Sequence, residues 1–194
     1  MPVHGTGKIM HECLLLGAEG SGKTLLLKKL VSKASRTKTS GGSTSNGSAD
    51  SSCDGILPTI PTVGTNIEDL QLAKGISCKL REYGGSMAPL WSSAYNRCSV
   101  VIFVVDASNS TQISASTMLL LDVLTAKALE KKPVLIFFNK MDSQFGMSLV
   151  ELKSVMRLGD VIRNATQKVQ VVQGSCATEE GLDSILEWIM ENSK

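Results

Sequence analysis

Eight residues constrain this chain more than any others: Gly17-Ala18-Glu19-Gly20-Ser21-Gly22-Lys23-Thr24, a complete G-x-x-x-x-G-K-[ST]. A short apolar run, Cys13-Leu14-Leu15-Leu16, precedes it, and residues 23–35 after it carry helical periodicity. Strand, glycine-rich turn and helix in that order are the setting in which such a loop wraps phosphate. The glycines let backbone N–H groups turn inward on the anion, and the positive end of the helix faces it. Lys23 is then placed to reach the β- and γ-phosphates, and the Thr24 hydroxyl to bind Mg²⁺.

The remaining chain continues in the same style. Residues 100–105, 134–138 and 169–172 are short runs of β-branched and apolar residues, suited to parallel strands covered on both faces. Two more polar segments, 67–72 and 76–81, flank Lys74-Gly75 and predict a hairpin. Helical periodicity spans 112–128, 148–158 and 182–191. Strands alternating with helices predict an α/β fold, doubly wound, with the hairpin supplying one antiparallel edge. Gly17, Asp106, Asn139-Lys140-Met141-Asp142 and Ser175-Cys176-Ala177-Thr178 each follow a predicted strand. Ligands of open α/β sheets bind outside the carboxyl ends of the strands, so these four clusters describe one rim.

Composition narrows the function classes. A chain of 194 residues implies one domain. A net charge of +2 and 4% aromatics leave neither the field nor the stacking surfaces for nucleic acid, which is not an expected partner. The longest apolar runs fall far short of the ~20 residues of a membrane span. The five cysteines, Cys13, Cys53, Cys78, Cys98 and Cys176, contain no C-x-x-C, against a disulfide framework or zinc site and for a reducing compartment. No charged segment followed by an apolar one opens the chain, so a cytoplasmic location is expected. Residues 37–55 stand apart: thirteen of nineteen are Ser, Thr or Gly. Such a stretch buries too little surface to offset its ordering and is expected to be a flexible insertion. It interrupts a domain expected over residues 12–191, after a short extension at 1–11.

Asn139-Lys140-Met141-Asp142 gives the rim its specificity. A carboxylate there accepts two N–H bonds from the Watson–Crick edge of guanine, where adenine offers no matching donors. An N–H of Ser175-Cys176-Ala177 is positioned to donate to guanine O6.

Together these motifs resemble the Arf and Arf-like branch of the Ras-like small GTPases. Pro61-Thr62-Val63-Gly64 resembles its switch I, Gly84-Gly85 its switch II, followed by Pro89-Leu90-Trp91 and, near the end, by Ser175 to Thr178. The likeness runs from about Glu12 to Ile189, broken by the Ser/Gly-rich stretch. It implies the P-loop small GTPase fold, a mostly parallel six-stranded sheet with helices on both faces. It also implies a guanine-nucleotide switch binding GTP–Mg²⁺ and GDP, read by protein effectors and regulators at the switches. By the same resemblance, Gly17, Glu19, Gly20, Ser21, Gly22, Lys23 and Thr24 hold phosphate, and Asn139, Lys140, Asp142, Ser175, Cys176 and Ala177 hold the base. Thr62 joins Thr24 on Mg²⁺ and contacts the γ-phosphate through its backbone, as does the Gly85 N–H.

Four departures qualify the resemblance. Glu19 stands where Arf proteins usually carry Asp. Glu82 replaces the usual Asp of switch II; it keeps the charge that holds an Mg²⁺-bound water but reaches ~1.5 Å further. Ser86 replaces the water-positioning Gln and is too short to align a water with the γ-phosphate, so Lys23 and a weakened Ser86 are the catalytic candidates. Pro2 stands where Arf proteins carry a myristoylated Gly, and Glu191 to Lys194 is no prenylation box, so no direct lipid anchor is expected. The leading expectation is a switch that hydrolyses GTP slowly. A constitutively GTP-bound scaffold is the alternative, and a P-loop kinase lacks a reason to carry N-K-x-D.

Overall fold

The computed structural model describes residues 11–39, 61–72 and 77–192. Most of the Ser/Gly-rich stretch, the Lys74-Gly75 turn and the segment before His11 therefore lie outside the described residues. Six strands form one sheet: β1 (His11–Gly17), β2 (Thr65–Gln71), β3 (Ser77–Tyr83), β4 (Val100–Asp106), β5 (Val134–Asn139) and β6 (Val169–Gln173). Their order is β2-β3-β1-β4-β5-β6. Only β2 runs antiparallel, paired with β3 in a register that sets Asn66 opposite Glu82. The expected mixed α/β fold, mostly parallel with six strands, is what the chain adopts.

The unbroken apolar runs are explained by helices on both faces. Alternate residues of each central strand enter opposite cores. Leu14, Leu16, Phe103, Val105, Ile136 and Phe138 face α2 (Ile113–Thr125), α3 (Leu149–Val155) and α4 (Leu158–Asn164). Cys13, Leu15, Ile102, Val104, Leu135 and Phe137 face α1 (Lys23–Thr39) and α5 (Leu182–Asn192). Among the described residues no helix is long and apolar enough to cross a membrane.

Two expected helices differ. The run at 148–158 is two helices, not one. Ser148 starts α3 with a capping box, its hydroxyl accepting from Glu151 N at 3.3 Å while Glu151 Oε2 accepts from Ser148 N at 2.8 Å. Arg157 then turns left-handed at φ 47°, which redirects the chain so that α4 carries Leu158 into the core. The run at 112–128 ends at Thr125, because Ala126 is extended, and a separate turn at Lys127–Leu129 buries Leu129. The backbone of α1 continues to Thr39, into the first residues of the stretch expected to be a flexible loop.

Strand order reverses direction at β1, which lies between β3 and β4. The crevice at that switch point is where the loop after Gly17 sits.

Candidate functional site

The loop between β1 and α1 turns through Gly20 and Gly22, both at positive φ. Gly22 is irreplaceable for a second reason: a Cβ there would lie 2.3 Å from Asn139 Nδ2. Inside the loop Lys23 is 5% exposed, and its Nζ donates to Gly17 O at 3.0 Å and Ala18 O at 2.7 Å. Burial lowers its pKa from 10.5 to about 8, against the opposing pull of Glu82 and Glu19. An ammonium short of compensating charge inside a ring of backbone amides is poised for an anion.

Facing the loop, oxygen donors from α1, β3 and the segment entering β2 converge. Thr24 of α1 donates to Glu82 Oε1 at 2.5 Å, and Thr62 donates to the same oxygen at 3.2 Å. The two threonine hydroxyls are 3.0 Å apart. Glu82, at the end of β3, is buried, and its other oxygen accepts from Asn66 Nδ2 at 2.7 Å. One carboxylate and two hydroxyls are hard oxygen donors. Their convergence fits Mg²⁺, which keeps several waters and takes further ligands from substrate phosphate. A cavity of about 50 Å³ lies between these groups, walled by Glu19, Gly22, Lys23 and Thr24 on one side and Pro61, Thr62, Glu82 and Gly85 on the other.

The double glycine closes that wall. A Cβ on Gly85 would lie 2.2 Å from Glu19 N, so only glycine lets the segment after β3 approach the phosphate loop. Gly84 N donates to Gly64 O at 3.0 Å, and Gly84 O accepts from the buried Trp91 indole at 3.2 Å. Trp91 is itself held edge-on by Phe103, with ring centroids 6.4 Å apart. Ser86, next in line, is exposed, and its hydroxyl makes no hydrogen bond among the described residues.

The other end of the rim is assembled by Asn139. Its Nδ2 donates to Ser21 O at 2.9 Å and its Oδ1 accepts from Cys176 N at 3.0 Å, tying the phosphate loop to the loop after β6. Lys140, at φ 65°, donates to Gly20 O at 2.9 Å and to Asp106 Oδ2 at 2.7 Å. Met141 N donates to Gly174 O at 3.1 Å, so the turn bearing the exposed Asp142 lies beside Ser175. Ser175 Oγ accepts from Ala177 N at 3.0 Å and Thr178 N at 3.3 Å. An Ala177 N–H directed to a base would have to leave that hydroxyl. Burial pushes the Cys176 thiol up to about 12 despite nearby Lys29, so it packs as a neutral group.

All the site residues expected from sequence thus lie along one rim, with Ser86 at its exposed margin. Three residues contribute in ways the sequence reading did not assign. Asn66 meets Glu82 only because of the β2/β3 register. Gln112 Nε2 donates to Glu19 O at 3.0 Å from the loop before α2. The Trp91 indole holds Gly84 in place. An asparagine inside a strand is disfavoured, and that was the available signal for Asn66. A larger groove of about 650 Å³ between α2 and α4 lies away from the rim; its mainly aliphatic lining, including Leu121, Leu124, Val155 and Val161, offers no comparable convergence of donors.

Comparison with known proteins agrees with this geometry. The profile described as "ADP-ribosylation factor family" matches residues 50–193. The chain is 44% identical to ADP-ribosylation factor-like protein 16 of Homo sapiens over 177 residues, 91% of this chain and 83% of that protein. It is 28% identical to ADP-ribosylation factor-like protein 3 of Caenorhabditis elegans, over 93% of this chain and 86% of that one. In fold it matches the Arl6 BBS3 small GTPase from Trypanosoma brucei with bound nucleotide analogue GppNp, at a TM-score of 0.73 and 19% identity, covering 94% of this chain and 96% of that one.

Proposed function

Since the chain belongs to the ADP-ribosylation factor family and is a guanine-nucleotide-binding switch of that family, we propose that its GTP-bound form is long-lived and hydrolyses slowly unless a partner completes the site. The single observation that carries this reading is Ser86, an exposed serine directly after Gly85, which lines the cavity beside Lys23. Phosphoryl transfer to water depends on positioning and charge stabilisation, with no protein nucleophile. A serine side chain removes the positioning and leaves the charge.

In this reading Lys23 exchanges the carbonyls of Gly17 and Ala18 for phosphate oxygens, and the amides of Gly20 to Thr24 line the β-phosphate. Thr24 and Thr62 would supply hydroxyl oxygens to Mg²⁺, and Glu82 would hold a water on it. Mg²⁺, when bound, neutralises charge on the β- and γ-phosphate oxygens. Asp142 reads guanine, with Asn139 and Lys140 fixing the loops around it. Partners read the switches: Val63, 93% exposed, and Leu90, 57% exposed, offer apolar contact on switch I and switch II.

Single-turnover phosphate release by the GTP-loaded protein tests the proposal. The expected rate is at or below ~10⁻⁴ s⁻¹, the unaided scale of a Ras-type protein that retains its glutamine. Ser86→Gln is expected to raise it only in part, because Glu19 and Glu82 also alter the surroundings. A rate above ~10⁻³ s⁻¹ in the unaltered protein, about tenfold over that reference, means another group positions the water. GTP retained without measurable release favours the scaffold reading.

A further inference from the structure

Glu82 has one more rotatable bond than the aspartate usual at its place, so something must decide where its carboxylate points. The geometry points to Asn66 as the positioning residue: it holds one carboxylate oxygen so that the other stays on the metal side. Asn66 and Glu82 are direct partners across the β2/β3 ladder. Asn66 Nδ2 takes Oε2 at 2.7 Å, while Oε1 meets Thr24 and Thr62 at 2.5 and 3.2 Å. The two oxygens therefore have separate tasks, one anchored to β2 and one directed at the hydroxyls. Glu82 is 1% exposed, so water has little access to replace a lost donor.

The arrangement has a consequence for the edge strand. Asn66 lies four residues after Thr62 on the same segment. Through Asn66 and Glu82, the position of β2 is linked to the metal oxygens, so a shift of β2 along β3 separates the amide from the carboxylate. β2 is the edge of the sheet and most of its side chains are exposed, with Leu70 the one that enters the core.

This inference rests on the reading that Thr24, Thr62 and Glu82 hold Mg²⁺, and the test separates the two. Release of a fluorescent guanine nucleotide is followed in Mg²⁺ and in EDTA for the unaltered protein, Asn66→Ala and, as a same-strand control, Thr65→Ala. In Mg²⁺, Asn66→Ala is expected to release nucleotide about tenfold faster than the unaltered protein, the size of one lost bond to a buried charge. In EDTA the two are expected to be equal, and Thr65→Ala is expected to match the unaltered protein in both. Faster release by Asn66→Ala in both conditions to the same degree, or in neither, overturns the positioning role. Release from the unaltered protein that ignores EDTA overturns the metal assignment itself. Should Asn66→Ala not fold, judged by thermal melting in EDTA, Asn66→Ser takes its place under the same criteria.

Discussion

At the base end of the rim, Asn139 commits both halves of its amide to backbone groups of two other loops, whereas at the metal end Glu82 is met, among the described residues, by the side chains of Thr24, Thr62 and Asn66. The base end is carried by β5 and β6, parallel strands on the far side of the sheet from β2, and β5 is buried along its whole length. The metal end borrows Thr62 from the segment entering β2, the antiparallel edge, where burial is sparse. Backbone anchoring on buried strands presets a geometry. Side-chain anchoring across an edge allows parts to separate without opening the core. The contrast matches what a nucleotide switch requires: a base site that is always present and a γ-phosphate site that assembles and comes apart.

The sharpest way to break the comparison is at the base. Asp142→Asn replaces an acceptor with a donor opposite guanine and is expected to weaken GTP binding by ~10³-fold or more while improving xanthine nucleotide. Competition binding measures both, and the exchange of preference should persist in EDTA, since nothing at that end uses the metal. Unchanged GTP affinity would sink the base assignment.

A smaller loss is expected at the phosphate loop. Lys23→Ala removes the ammonium that, in the proposed function, bonds two phosphates with no substitute inside the loop, and a fall in affinity of ~10²-fold is expected for charge-assisted bonds. Calorimetric titration with a non-hydrolysable GTP analogue checks it; affinity like that of the unaltered protein contradicts the role of the loop.

The smallest effect is in the pH dependence. Burial disfavours the Lys23 ammonium and lowers its pKa from the ordinary 10.5 to about 8 in the folded protein. A lysine with a depressed folded pKa penalises folding below that value, and the penalty is relieved as pH rises from about 8 towards 10.5. Nucleotide binding runs the other way, because phosphate demands the charged form. GDP affinity is therefore expected to fall by about tenfold between pH 7 and pH 9 with uptake of up to one proton, read by titration in buffers of different ionisation enthalpy. A flat profile would mean that Lys23 stays charged before nucleotide arrives.

Much of the rim was legible in advance because its parts are local. Gly17 to Thr24 is one turn between a strand and a helix, so its spacing alone declares it, and Asn139 to Asp142 and Ser175 to Thr178 gain meaning from following apolar runs. The break between α3 and α4 was not legible, since Arg157 at φ 47° is chosen by the gain from burying Leu158, a tertiary effect with no local cue. Asn66 and Gln112 were missed for the same kind of reason. Each acts on a residue outside its own segment, Asn66 on Glu82 across the β2/β3 pairing and Gln112 on the backbone of Glu19.

The sequence by itself determined the class of sheet, the glycine-rich motif after β1, the N-K-x-D motif proposed to read the base and the serine at position 86, because periodicity and short motifs are properties of neighbouring residues. Only the tertiary structure decided that Glu82 divides its two oxygens between Asn66 and the threonine pair, that Asn139 fastens the phosphate loop to the loop bearing Cys176, and that Gly85 lies against Glu19. Those contacts depend on strand register and on which loops the sheet brings to one rim, and such distances exist only once the chain has packed.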